Sequence, residues 1–218
     1  MADATLAPAK ADRFFLYFAL ALFLIVVFSF PLHAVLNPER LPPIRPVLHL
    51  HAASMGTWYA LLVTQTLLVA NGRIGLHQAL GLSSLALVPL VIGTGLYVSY
   101  ANMVRTGVPT ILIANAGNCV LFIAFYGAAL VMRGRPAFHK RFMMFAALAL
   151  MLPAYARLVQ VFGRGEMDAI IPWFVLLLVL PVYDLISHRR IEAATLVGVA
   201  LNLAYIASLL AFLPPLEA

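Results

Sequence analysis

Seven apolar runs divide the chain, at residues 14–36, 47–70, 76–100, 109–132, 141–162, 169–187 and 193–213. At about 1.5 Å per residue, some 20 apolar residues cross the hydrocarbon core of a bilayer as a helix. Polar residues gather between the runs instead of alternating within them. The pattern predicts an all-α, polytopic helical bundle with about seven transmembrane helices, a single integral membrane domain over 1–218, and a short tail at 1–13. Helix breakers mark the joints. Pro42, Pro43 and Pro46 lie in the first loop, Gly107 and Pro109 in the third, and Gly163 and Gly165 in the fifth. Gly72 and Gly134 are placed to cap helix C-termini, Pro136 suits a first helical turn, and Pro181 is expected to kink the sixth run. Trp58, Tyr97, Tyr100 and Trp173 are read as interfacial belt residues.

Two of the joints share a motif. Leu68-Val69-Ala70-Asn71-Gly72-Arg73-Ile74-Gly75-Leu76-His77 recurs as Leu130-Val131-Met132-Arg133-Gly134-Arg135-Pro136-Ala137-Phe138-His139. Each copy closes a helix near Gly, sets an Arg at headgroup level and starts the next helix with a His. A degenerate third copy, 187–192, carries Glu192 where the His would stand. The expected architecture is therefore a set of repeated helical hairpins plus an N-terminal helix.

Composition agrees with a membrane solvent. Hydrophobic residues make up 64% of 218 positions and charged residues 10%, with a mean hydropathy of +0.99, which leaves no room for a soluble domain. The net charge of +6 comes from loop residues that form no stripe, so nucleic acid is not an expected partner. Nine of the fourteen Lys and Arg residues fall on the side of the N-terminus. The positive-inside bias then puts the N-terminus in the cytoplasm and the C-terminus in the periplasm of a bacterial inner membrane, with the first run as a retained signal anchor. Cys119 stands alone, so no disulfide framework or thiolate cluster is available. No G-x-S-x-G, H-E-x-x-H or P-loop motif occurs.

Ionisable residues within such runs are costly and therefore informative. His33, His49 and His51 belong to the outer end, and His77, His139 and His188 to the inner end. Some 28 Å of helix separates His51 from the inner end, so the two sets cannot share one cofactor. His77 and His139 are the expected ligands of a haem iron, since bis-histidine ligation is one way a bundle core holds haem. Arg73 and Arg135 precede them by four residues and could meet propionates, and Asp184 could accept a ring N–H and orient an imidazole. His51 with Met55, and His139 with Met143, share helix faces at i,i+4. Arg157 needs an anion, for which Glu166, Asp168 or a propionate are the candidates. Two other classes fit the same sequence. One is a small transporter, or a lipid- or metal-handling protein, with a polar cavity lined by Gln65, Asn115, Asn118, Tyr126 and Asn202. The other is a structural or assembly subunit of a larger membrane complex.

The run Phe138-His139-Lys140-Arg141-Phe142-Met143-Met144 with Pro153 and Arg157, together with Leu76-His77-Gln78-Ala79-Leu80-Gly81, resembles uncharacterised bacterial multi-spanning membrane proteins with HR-x-LG and H-(K/R)-R-x-M turns, over most of residues 47–192. More loosely, the layout is similar to transmembrane b-type cytochromes. That likeness implies haem b, His ligands near both faces, and electron transfer with a quinone or a membrane redox partner. The chain departs from those cytochromes at the outer end, which lacks a pair of His on facing helices.

Overall fold

A computed structural model of the chain describes residues 13–40 and 46–212. The tail up to residue 12, the Pro42–Pro43 loop with Arg45, and everything after Phe212 lie outside the described residues. Among the described residues nine α-helices follow one another: α1 (Phe14–Leu36), α2 (Pro46–Ala70), α3 (Ile74–Gly81), α4 (Ser84–Thr106), α5 (Thr110–Val131), α6 (Pro136–Ala149), α7 (Leu152–Val161), α8 (Ile170–His188) and α9 (Ala193–Phe212). Among the described residues no strand occurs. Six of these described helices are long and apolar enough to cross a membrane, and α6 with α7 makes a seventh span if that bent pair is counted as one. The chain is an all-α, multi-pass membrane bundle.

Two of the expected spans are interrupted. The run 76–100 is split into α3 and α4 at Leu82–Ser83, where the hydroxyls of Ser83 and Ser84 turn back onto the carbonyls of Leu80 (2.7 Å) and Gly81 (2.6 Å). Such back-bonding offers the backbone an alternative to the helical ladder. The run 141–162 begins earlier, at Pro136, and bends by 51° between α6 and α7. Pro153 explains the bend: without an N–H, and with a ring that crowds the carbonyl four residues back, it cannot continue α6. Tyr59 of α2 donates its hydroxyl to the Ala147 carbonyl beside this break, at 2.8 Å. By contrast α8 runs on through Pro181 as one element.

The caps divide in the same way. Gly72 takes the left-handed conformation (φ 70°), as does Gly107 (φ 73°), which closes α4. Gly134 does not: α5 passes into a 3-10 turn over Met132–Gly134. Arg135, held extended (φ −121°, ψ 86°) by the proline after it, then leads into α6. The two motif turns are thus built differently, though each Arg ends as the residue before a helix.

The centre of the bundle is α6, which packs against α1, α5, α8 and α9. Residues 144–149 are all buried, and a helix apolar on every face is the kind a bundle interior requires. Its alanines let the neighbouring helices approach closely. Trp58 and Trp173 belong to this interior, not to an interfacial belt: Trp58 sits edge-on to Phe122 (5.1 Å) and Tyr126 (5.8 Å). Tyr97 and Tyr100 are half exposed on the bundle surface.

Chain alternation puts Arg73 and Arg135 at one end of the bundle and Arg105 at the other. In a chain whose buried Cys119 has been replaced by Ala, a Cys at position 73 or 135 is expected to resist an impermeant thiol reagent added outside cells. A Cys at 105 is expected to react. Labelling of position 135 from outside would reverse the positive-inside assignment.

Candidate functional site: a pair of imidazoles

The two motif histidines meet. His77, in the first turn of α3, and His139, in the first turn of α6, have ring centroids 6.1 Å apart with planes at 88°. Both helices start in the same way: the His77 amide donates to the Arg73 carbonyl (3.0 Å) and the His139 amide to the Arg135 carbonyl (3.1 Å). The rings are half-buried, while Arg73 and Arg135 are exposed.

Each imidazole is held by a partner on another helix. His139 Nδ1 lies 2.8 Å from the Ala129 carbonyl of α5. A carbonyl can only accept, so Nδ1 carries the proton and Nε2 keeps its lone pair. His77 is held by Gln65 of α2, whose amide nitrogen donates to the His77 carbonyl (2.9 Å) and to His77 Nδ1 (2.5 Å), while its oxygen accepts from the Gly81 amide (3.2 Å). Gln65 lies five residues before the end of α2, so the pair sits roughly 7 Å inside the turn.

Asp184 does not orient either imidazole. Its carboxylate, fully buried on α8, is taken by Arg141 of α6, which is 1% exposed. Arg141 Nε donates to both carboxylate oxygens (3.1 and 3.3 Å), and a second guanidinium nitrogen donates to Oδ1 at 2.5 Å. Thr195 Oγ1 (2.5 Å) and the Glu192 amide (3.1 Å) donate to Oδ2, tying in α9. Arg141 also donates to the Ala137 carbonyl at 2.9 Å. His188, one turn beyond Asp184, stands at the rim with Nδ1 3.8 Å from the carboxylate.

At the outer end His51 is held differently. His51 Nδ1 lies 3.1 Å from Thr94 Oγ1, whose own proton goes to the Leu90 carbonyl (2.7 Å), so the imidazole is the donor. The ring rests on Gly95, about 21 Å along α2 from Gln65. It is not part of the inner site. Nor does Arg157 reach Asp168: Arg157 donates to Gln160 (3.0 Å), and Asp168 pairs with Arg164 (3.0 Å).

The other polar groups go to different neighbours instead of lining one cavity. Asn115 donates to Ser99 (2.8 Å), Tyr126 shares a hydrogen bond with Ser84 (2.7 Å), and Asn202 donates to the Gly198 carbonyl of its own helix (2.8 Å). Among the described residues, no group of three or more His, Cys, Asp or Glu could hold a metal ion. The chain matches no protein-family model, no curated protein and no solved structure.

Sequence reasoning found the two histidines because the motif repeats, but it missed Gln65 as a partner of His77 and Arg141 as the partner of Asp184. The available signal for Arg141 was Asp184 itself, a lone carboxylate inside an apolar run that requires a cation at its own depth.

Proposed function

We propose that the chain is an integral membrane electron carrier that holds a haem b between His77 and His139 at the cytoplasmic face of a bacterial inner membrane, exchanging electrons with a quinone or a membrane redox partner. The observation that carries this reading is the close pair of imidazoles, one of them pinned through Nδ1 to a backbone carbonyl. That is the arrangement by which proteins aim an Nε2 lone pair at a metal. The number of ligands favours haem over a bare ion. A structural zinc takes four protein ligands, whereas a haem iron takes only axial ones from the protein. Arg73 and Arg135 would meet the propionates as charge-assisted donors. When bound, haem supplies the one-electron chemistry; the protein supplies the ligands, their orientation and the apolar surroundings.

Expression with ample haem is expected to give a red detergent extract with a Soret band. His139→Ala is expected to abolish that band while leaving the protein in the membrane, and His49→Ala to leave it unchanged. A colourless wild-type protein overturns the proposal.

One observation favours a small transporter as a second reading: among the described residues, Asn118 Nδ2 and Asn202 Oδ1 are each buried without a hydrogen-bond partner, as groups kept for a polar solute would be. Such a protein would be colourless, and substitution of either Asn by Leu would abolish uptake.

A further inference from the structure

The two imidazoles are fixed by backbone groups, and those groups fix them differently. At His139 the Ala129 carbonyl demands a proton on Nδ1. At His77 the determining group is Gln65, whose amide has no freedom of its own. The His77 carbonyl can only accept and the Gly81 amide can only donate, so the nitrogen of Gln65 must face the first and its oxygen the second. The same nitrogen lies 2.5 Å from His77 Nδ1. Nδ1 of a neutral His77 is therefore an acceptor, and its proton sits on Nε2.

We propose that Gln65 is a positioning residue that sets His77 in the tautomer opposite to the one the Ala129 carbonyl imposes on His139, so that the pair is built unequally, with His139 as the resident ligand and His77 as the exchangeable one. The tautomers stand on the hydrogen bonds alone, and only the word ligand rests on the haem reading above. Ligation through Nε2 of His77 needs its proton moved. The proton leaves Nε2 for water, another reaches Nδ1 from water, the imidazole stays neutral, and a metal–nitrogen bond forms at the freed lone pair. Gln65 must then turn its oxygen to Nδ1–H, which breaks its bonds to the His77 carbonyl and the Gly81 amide. No such rearrangement is needed at His139. The asymmetry would leave Gln65 in control of whether His77 can serve as a ligand.

The test reads tautomers directly, without haem. Protein labelled with 15N-histidine in lipid nanodiscs, at about pH 8 where ordinary histidines are neutral, is expected to show an Nε2–H pattern for His77 and an Nδ1–H pattern for His139 in two-bond 15N–1H correlation spectra. His139→Gln and His77→Gln each remove one set of signals from those of the six histidines and so assign both. Gln65→Leu is expected to convert the His77 signals to a mixture of tautomers and leave those of His139 unchanged. Gln65→Glu, whose carboxylate accepts, is expected to move His77 wholly to Nδ1–H, and it serves where the Leu variant does not fold. Identical tautomers in the wild type, or a His77 pattern indifferent to both variants, overturn the assignment. In haem-loaded protein, a ferric high-spin fraction is expected that Gln65→Glu converts to low-spin. A wholly low-spin wild type overturns the exchangeable role. Absence of any Soret band removes the ligand role together with the haem reading and leaves the tautomer result to stand by itself.

Discussion

Asp184→Ala is expected to cost about 3–5 kcal/mol of fold stability, the range for breaking a buried ion pair by removing one partner. The carboxylate receives donors from α6, α8's own continuation into the next turn, and α9, and both members of the pair are essentially inaccessible. Its loss leaves the Arg141 guanidinium in an apolar interior with only the Ala137 carbonyl among its described acceptors, and a stranded charge is more damaging than a missing attraction. The double variant Arg141→Met, Asp184→Leu tests that distinction. If the desolvated charge is the source of the cost, the double variant recovers most of the lost stability, since apolar replacements of buried pairs are often neutral. Thermal denaturation in detergent, followed by the retention of the folded peak on size exclusion, measures both. A single variant that melts with the wild type would remove the pair from the forces holding α6, α8 and α9 together.

Gly198→Ala is the second large effect, and here two terms of opposite sign compete. Within a helix, Ala is favoured over Gly by about 1 kcal/mol. At Gly198 the added methyl would overlap the ring of Phe145. That ring is wholly buried and packs against Phe125 at 5.5 Å, so it has little space to retreat. Overpacking of a tight core costs about 1–3 kcal/mol, and overlap with an immobile ring belongs at the upper end, so the net change is destabilising. Phe145→Leu in the Gly198→Ala background is expected to restore part of the loss. Gly127→Ala in α5 has no neighbour within 4 Å of the new methyl and is expected to be neutral or slightly stabilising. Equal melting of the Gly198→Ala and Gly127→Ala proteins would contradict the packing argument.

How much of this was legible in the sequence depended on whether the responsible physics was local. A bilayer imposes a length and a polarity on every spanning helix, so the apolar runs alone recover the helices and most of their ends. Interruptions at Leu82–Ser83 and Leu150–Met151 arise from side chains that compete with the helical ladder, and within an apolar run these leave little trace in hydropathy. Pro153 carried its signal openly, yet Pro181, inside α8, carried the same one. Which proline breaks a helix is decided by the surrounding packing. Trp58 was misplaced for a simpler reason: it lies twelve residues into α2, roughly 18 Å from the helix start, too deep for a headgroup belt. His77 and His139 could be paired because one motif occurs twice at one end of the bundle. Gln65, Ala129 and Arg141 reach their partners across helices, and no local pattern announces such contacts.

The position of α6 at the centre has a consequence for how the chain is made. Arg141 leaves the ribosome 43 residues ahead of Asp184, a delay of about 2–9 s at ordinary rates of synthesis. During that interval the helix that will become the innermost has neither its counter-ion nor the two later helices that cover it. A basic residue of this kind can wait at the membrane surface with its stem along the apolar layer. The central span is thus threaded early and seated late, when α8 and α9 emerge to close around it.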